Sequence, residues 1–269
     1  MPELPEVETV LRTLEDKIKN REITSIKILY KPIVVGSDKA FKKKLIGQHF
    51  RQFKRRGKYL IFELDDISLV SHLRMEGKYY ILTPNDKIDK HTHVIFDLDD
   101  GRQLRYHDVR KFGRMELIPK DDTYDDFKNL GPEPFSKDFN SKYIKEYTKN
   151  LKKPIKEVLL DQSFVAGIGN IYADEILWAI KVNPLRPANK LKDEEIKDLI
   201  KYTRAILKKA IKAGGTTIRS YTSSLGVTGL FQLSLNAHTV KKCKRCQSEI
   251  KKIRVGGRGT YYCPKCQKK

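Results

Sequence analysis

Long apolar runs are missing from this chain. No stretch approaches the roughly 20 consecutive apolar residues that a helix needs to cross a bilayer, which excludes a helical membrane span. The opening residues are acidic and patterned as a helix, so they do not read as a secretory signal peptide, and the expected location is the cytoplasm. No repeat recurs at a solenoid period. Acidic residues are in deficit: 34 Asp+Glu face 55 Lys+Arg, for a formal net charge of +21. Such an excess attracts polyanions, of which nucleic acids and anionic membrane surfaces are abundant. A lysine-rich composition raises the count without any binding role, but the basic footprint favours nucleic acid. Cysteine is also scarce, and none is spare. All four lie in CKRC (Cys243, Cys246) and CPKC (Cys263, Cys266). Disulfides are not expected in a reducing compartment. Two Cys-x-x-Cys knuckles at this separation can instead close one tetrahedral zinc site, each supplying two thiolates from a tight turn.

What is present divides the chain by period. Hydrophobic residues make up 39% of 269 positions and recur from end to end, enough for two packed domains or one large one. Over residues 4–19, Val7, Val10, Leu11, Leu14 and Ile18 share one helical stripe, with Pro5 in the first turn and Glu6 and Glu8 at its positive end. From about 22 to 119 the stretches ITSIKILY, KYLIFEL, SLVSHL, HVIFDL, QLRYHD and GRMELI read as strands, with connections such as LDDGRQ as hairpin turns. One helix near KAFKKKLIG interrupts them. At LGPEPF (130–135) the strand pattern stops, and helices follow over roughly 141–151, 154–164, 170–180 and 192–213.

Several stretches carry residues suited to chemistry. The chain begins MPELPEVETV. Processing removes methionine readily before a small residue, which would leave Pro2 with a free secondary amine. An α-amino group has a pKa near 8, so part of it is unprotonated at neutral pH and can attack an electrophilic sugar carbon. Glu3 is then within reach for proton transfer, with Glu6 at the helix start. A Pro-Glu opening that simply starts a helix explains the same residues. HLRMEG (72–77) and DVRKFGR (108–114) place Met75, and Phe112 beside Arg110, at apparent hairpin tips. Apolar wedges next to cations can open a base stack; both residues could equally pack beneath the sheet. FVAGIGNIYADEILW (164–178) holds a glycine turn leading to a helix start, where Asn170 can cap the helix or meet a phosphate. GGTTIRSYTSSLGVTG (214–229) is a hydroxyl-rich loop long enough to read the edge of an extruded base.

Together these stretches resemble the formamidopyrimidine-DNA glycosylase family. The similarity lies in PELPEVETV, Lys58 in RGKYL, HLRMEG, KHTHV, DVRKFG, LGPEP, DQSFVAGIGNIYADEILW, GGTTIRSY and GGRGTYYCPKCQ, in the family's order and over essentially the whole chain. The resemblance implies an α+β fold in two domains. An N-terminal β-sandwich with flanking helices would span 1–131 and a linker 132–145. A helical domain with a helix–two-turn–helix would span 146–236, and a zinc-binding β-hairpin, with one structural Zn²⁺, 237–269. It implies Pro2 as the nucleophile, Glu3 as the acid, Glu6 as a supporting carboxylate and Lys58 as an aid to catalysis near a flanking phosphate. His91, Lys111, Asn170 and Arg258 fall on phosphate-clamping positions, and Met75, Arg110 and Phe112 on those that fill the hole left by the lesion. Glu76 and the backbone from Thr216 to Tyr221, with Ile218, Arg219 and Ser220 between, match the lesion-reading loop. The implied partner is double-stranded DNA with oxidised bases or abasic sites, bound by a nucleoid-associated monomer.

Two departures stand out. Lys111 occupies a place where many members have arginine, which loses bidentate geometry. NAHTVKKC lacks the usual glycine-proline punctuation before the first cysteine pair. Two rival readings are an endonuclease VIII-type enzyme for oxidised pyrimidines and a non-catalytic zinc-dependent DNA-binding protein. The PELPEVET opening and the long GGTTIRSYTSSLG loop disfavour the first; the joint presence of Pro2, Glu3 and Lys58 disfavours the second.

Overall fold

The apolar stripe of the first helix is also its buried face. In the computed structural model, which describes residues 1–120, 127–216 and 229–268, helix α1 (Leu4–Ile18) starts with proline in its first turn and buries Leu4, Val7, Val10, Leu11, Leu14 and Ile18. A second helix, α2 (Asp38–Leu45), is capped by the Ser37 hydroxyl and buries Phe41 and Leu45.

Among the described residues up to 120, eight strands accompany these helices: β1 (Ile23–Ile28), β2 (Gln52–Arg56), β3 (Tyr59–Glu63), β4 (Ile67–His72), β5 (Lys78–Leu82), β6 (Thr92–Leu98), β7 (Gln103–His107) and β8 (Arg114–Pro119). They form two antiparallel four-stranded sheets, ordered β1-β6-β7-β5 and β2-β3-β4-β8. Strands β2 and β5 are additions to the sequence reading. Both lie at sheet edges, and in β2 the charged residues of QFKRR, which an edge tolerates, blur the apolar alternation. An aromatic contact joins the two sheets, Phe62 of β3 meeting Tyr79 of β5 edge-on at 5.8 Å, and Tyr79 continues within its own sheet to Tyr106 of β7 at 5.2 Å.

The wedge stretches are not at hairpin tips. β4 pairs with β3 and β8, whereas β5 pairs with β7, so residues 73–77 and 108–113 each cross from one sheet to the other. The crossovers begin and end at register pairs His72↔Arg114 and Lys78↔His107. Tyr106 explains a glycine in each: a Cβ at Gly77 would lie 2.3 Å from its hydroxyl, and one at Gly113 would lie 1.7 Å away.

The chain divides into two compact units, Met1–Lys128 with Gly214–Gly229, and Asn129–Ala213 with Leu230–Lys269. The second contains α3 (Ser141–Thr148), α4 (Ile155–Leu160), α5 (Asn170–Ala179), α6 (Asp193–Lys212) and a hairpin of β9 (Lys251–Val255) and β10 (Arg258–Tyr262). Helix α4 is shorter than its pattern suggests, since Asp161 ends it and residues 161–169 turn back toward α5. Helix α5 is buried from Tyr172 to Trp178, including Asp174 and Glu175. Both acids are matched: Asp174 pairs with the buried Lys156 ammonium and, at 2.7 Å, with His238 Nδ1. Glu175 accepts the backbone N–H groups of Asn236, Ala237 and His238. Removing one partner from such a buried pair costs about 3–5 kcal/mol. No helix among the described residues is long and apolar enough to cross a membrane.

Candidate active site

The start of α1 places a cluster of titratable groups around the chain's first residues. Pro2, Glu3 and Glu6 are buried. Met1 is present, so the Pro2 nitrogen is an amide and the nearby amine belongs to Met1. Burial is the largest influence on that amine and carries its pKa below the usual 8.0; Glu3 and Glu6 oppose the shift, Lys58 adds to it, and Glu76 opposes it. Four of the predicted residues therefore act electrostatically on one amine.

Lys58 reaches this place through the β2–β3 turn, where Gly57 takes φ 56°. Arg55 fixes the turn by donating to Glu8 of α1 at 2.8 Å and to the Gly57 carbonyl at 3.0 Å. Burial, then the charges of Arg74 and Lys58, push His72 down to about 3. Its Nδ1 accepts the Arg74 N–H at 2.9 Å.

Glu6 is a bridge. One carboxylate oxygen accepts the Glu3 N–H at 2.9 Å. The other accepts the Thr216 N–H at 2.8 Å and its hydroxyl at 3.0 Å, binding the predicted reading loop to α1. Gly215, at φ 77°, leaves room for this, since a Cβ there would stand 2.8 Å from the same oxygen. Ile218, Arg219, Ser220 and Tyr221 lie outside the described residues.

Of the two alternatives for the wedge residues, packing beneath the sheet fails for Phe112, which is 49% exposed. Met75 is half-buried. Met1, Arg74, Met75, Phe112 and Arg114 line an open groove of about 390 Å³, which brings wedge side chains beside the chain's first residue. The Arg110 guanidinium lies 4.8 Å from the Phe112 ring.

Sequence reasoning passed over the residue that shapes this loop. Asp108 is fully buried; its carboxylate accepts the N–H groups of Arg110, Phe112 and Gly113 at 2.9, 2.9 and 2.8 Å. The signal was an aspartate just before a short glycine-ended turn, where such a side chain bonds the backbone ahead of it. Within this loop Lys111 takes φ 58° and sets its ammonium 4.7 Å from the Tyr30 ring. The His91 carbonyl accepts the Asp108 N–H at 3.0 Å, so His91 and Lys111 are held on adjoining segments.

Asn170 and Arg258 belong to the second unit. Gly169 is the N-cap of α5 and Asn170 its first helical residue. The Asn170 amide donates to the Gly259 carbonyl at 2.9 Å, placing the helix start beside exposed Arg258 on β10. Asn170 Oδ1 is buried with no hydrogen-bond partner among the described residues.

The four cysteine sulfurs lie within 4.8 Å of one another, with Cys246–Cys263 at 3.4 Å and Cys243–Cys266 at 3.9 Å. Tetrahedral zinc with Zn–S of about 2.3 Å requires sulfurs about 3.8 Å apart. The donor set and its geometry fit one structural Zn²⁺.

Comparison with known proteins follows the same division. Residues 1–115 match the formamidopyrimidine-DNA glycosylase N-terminal domain, 130–222 the formamidopyrimidine-DNA glycosylase H2TH domain, and 241–269 the zinc finger found in FPG and IleRS. The formamidopyrimidine-DNA glycosylase of Ligilactobacillus salivarius is 49% identical, over 99% of each chain. The chain belongs to the formamidopyrimidine-DNA glycosylase family. Among solved structures, wild-type Lactococcus lactis Fpg in complex with N7-benzyl-Fapy-dG DNA is 47% identical over the whole of both chains, with a TM-score of 0.94. A second Lactococcus lactis Fpg structure, a complex with DNA containing an abasic site, shares the 0.94 score and 47% identity over 99% of this chain and all of that one. The Fpg family accounts for the α+β class, the two sheets, the helices and the zinc finger.

Proposed function

We propose that this chain excises oxidised purines, 8-oxoguanine and formamidopyrimidines, from duplex DNA with the imino group of Pro2 as nucleophile once Met1 is removed. Family membership makes it a DNA glycosylase with AP lyase activity. The observation that supports the residue assignment is that Glu3, Glu6, Lys58 and Glu76 all lie close enough to the Met1 amine, next to buried Pro2, to act on its charge.

The Pro2 nitrogen attacks C1′ of the lesion and the C1′–base bond breaks, the base leaving with the bonding pair and taking a proton from water, while the attacking nitrogen gives up its N–H proton to the Glu3 carboxylate. Glu3 protonates the sugar ring oxygen as the ring opens, and the nitrogen lone pair forms an iminium with C1′. The iminium acidifies the C2′ proton, so elimination expels the 3′ phosphate and, in a second step, the 5′ phosphate. Pro2 is buried, and buried surroundings favour the neutral, nucleophilic form of an amine. Glu6 works through Glu3 and Thr216 as a positioning residue. Lys58, His91 and Lys111 on one unit and Asn170 and Arg258 on the other would hold phosphates. Met75, Arg110 and Phe112 would fill the vacated stack, with Glu76 and residues 216–221 reading the extruded base. Residues 146–236, apart from the 214–229 loop that groups with the first unit, would act as the helix–two-turn–helix domain, and 237–269 as its zinc hairpin. The enzyme works as a cytoplasmic, nucleoid-associated monomer.

Borohydride added during incubation with 8-oxoguanine duplex tests the assignment. Wild type is expected to become covalently linked to DNA, and Pro2→Gly to lose most of that product. Trapping of a chain whose Met1 is still present by intact mass refutes the nucleophile, and full base excision by Glu3→Gln refutes the acid. Faster excision of thymine glycol than of 8-oxoguanine would overturn the purine assignment.

A further inference from the structure

We infer that Trp178 is a positioning residue for the zinc centre, its indole N–H hydrogen-bonding to the Cys243 sulfur and tying that ligand to α5. Nε1 and Sγ are 3.4 Å apart, and both side chains are buried. A buried indole N–H needs an acceptor, and a metal-bound thiolate keeps negative charge that such a donor stabilises. Trp178 is the one tryptophan of the chain. Its ring packs in a small apolar cluster with Ala237, Cys243, Ile250 and Cys263.

The same knuckle holds the helix a second time. Arg245 lies between the two cysteines of CKRC, and its guanidinium carbon stacks 3.7 Å from the Trp178 ring centroid. It donates to the Trp178 carbonyl at 2.6 Å and the Ala179 carbonyl at 2.9 Å. Both carbonyls lie at the C-terminus of α5, where a cation is favoured, and the Trp178 carbonyl also accepts the Lys181 N–H at 3.2 Å. Further along α5, Asp174 accepts the Tyr261 N–H at 3.2 Å, and at the first residue Asn170 donates to Gly259 at 2.9 Å. Sulfur, guanidinium and hairpin backbone thus meet α5 along its whole length. With this seating, the knuckle geometry and the helix position are set together. Partners standing behind a metal ligand change metal affinity by 10–100-fold when removed.

The inference concerns the zinc centre and is independent of the DNA reading. Two measurements on the full chain test it. Trp178→Phe keeps a ring for Arg245 but deletes the N–H, and zinc transfer to a chromogenic chelator is expected to speed up about 10-fold or more relative to wild type. In wild type loaded with cadmium-113, the single indole N–H resonance should show scalar coupling to the metal through the sulfur. Should Trp178→Phe fail to fold, the cadmium measurement on wild type still decides. Zinc release within twofold of wild type in a folded Trp178→Phe, or an indole proton with no coupling to cadmium, overturns the proposal.

Discussion

Replacing Asp108 should loosen the wedge loop in a way that can be read amide by amide. Three backbone N–H groups converge on its buried carboxylate, at 2.8 to 2.9 Å. A hydrogen bond to a charged acceptor contributes about 1.5–3 kcal/mol. The sum is not simply additive: Arg110 and Phe112 are exposed and their amides regain water, whereas Gly113 is buried and its amide does not. Asp108→Ala is therefore expected to cost the loop about 3 kcal/mol, mostly through Gly113. Asp108→Asn retains one oxygen, which can face Phe112 and Gly113 while the new NH₂ turns toward Arg110. Its expected cost is about 1–2 kcal/mol. Hydrogen exchange measured by NMR reads local opening directly. Protection of the Gly113 amide should fall by roughly 10²-fold in Asp108→Ala and about tenfold in Asp108→Asn, since 1.4 kcal/mol is a factor of ten. Base opening, followed with 2-aminopurine beside the lesion, should weaken in the same order. Unchanged Gly113 exchange in a folded Asp108→Ala would refute the argument that this carboxylate sets the loop.

Gly113→Ala places a Cβ 1.7 Å from the Tyr106 hydroxyl, and calorimetry should show destabilisation of about 1–3 kcal/mol from overpacking; a melting temperature equal to wild type would contradict it. For His72, held at about 3 by burial and then by Arg74 and Lys58, the folded pKa lies below the unfolded one. The unfolded chain thus takes up the proton first, and stability present above pH 6.5 is lost as pH falls toward 3. Against His72→Asn, wild type should lose about 1.4 kcal/mol for each pH unit across that window in denaturant titrations; parallel pH profiles would rule this out. Stripping zinc should weaken binding to abasic-site duplex and make the salt dependence shallower by about 0.9 for each phosphate that Arg258 no longer neutralises, which gel shifts at several salt concentrations would reveal. An unchanged slope in metal-free protein, verified by mass, would place Arg258 off the DNA.

Where local spacing carries the information, the residues alone were enough. The stripe of α1, the break at LGPEPF, the long α6 and the paired cysteines each follow from periods or separations within a few residues, and the ordered motifs already resembled the family. Strand β2 escaped because its QFKRR carries charges that an edge tolerates and that blur the apolar alternation, and β5 escaped because the apolar residues of KYYIL run on without alternation. The crossovers at 73–77 and 108–113 escaped for a different reason: strand partners distant in sequence decide whether a turn closes a hairpin or changes sheets. Tyr106, Asp108 and Trp178 acquire meaning through atoms that only folding brings near, namely two glycines, three loop amides and a cysteine sulfur. The sequence by itself settled which chemical groups this protein possesses and, for the helices and the cysteine knuckles, which elements carry them. Which groups share a buried space was left to long-range packing, because burial and hydrogen bonding depend on distances in the fold and not on separation along the chain.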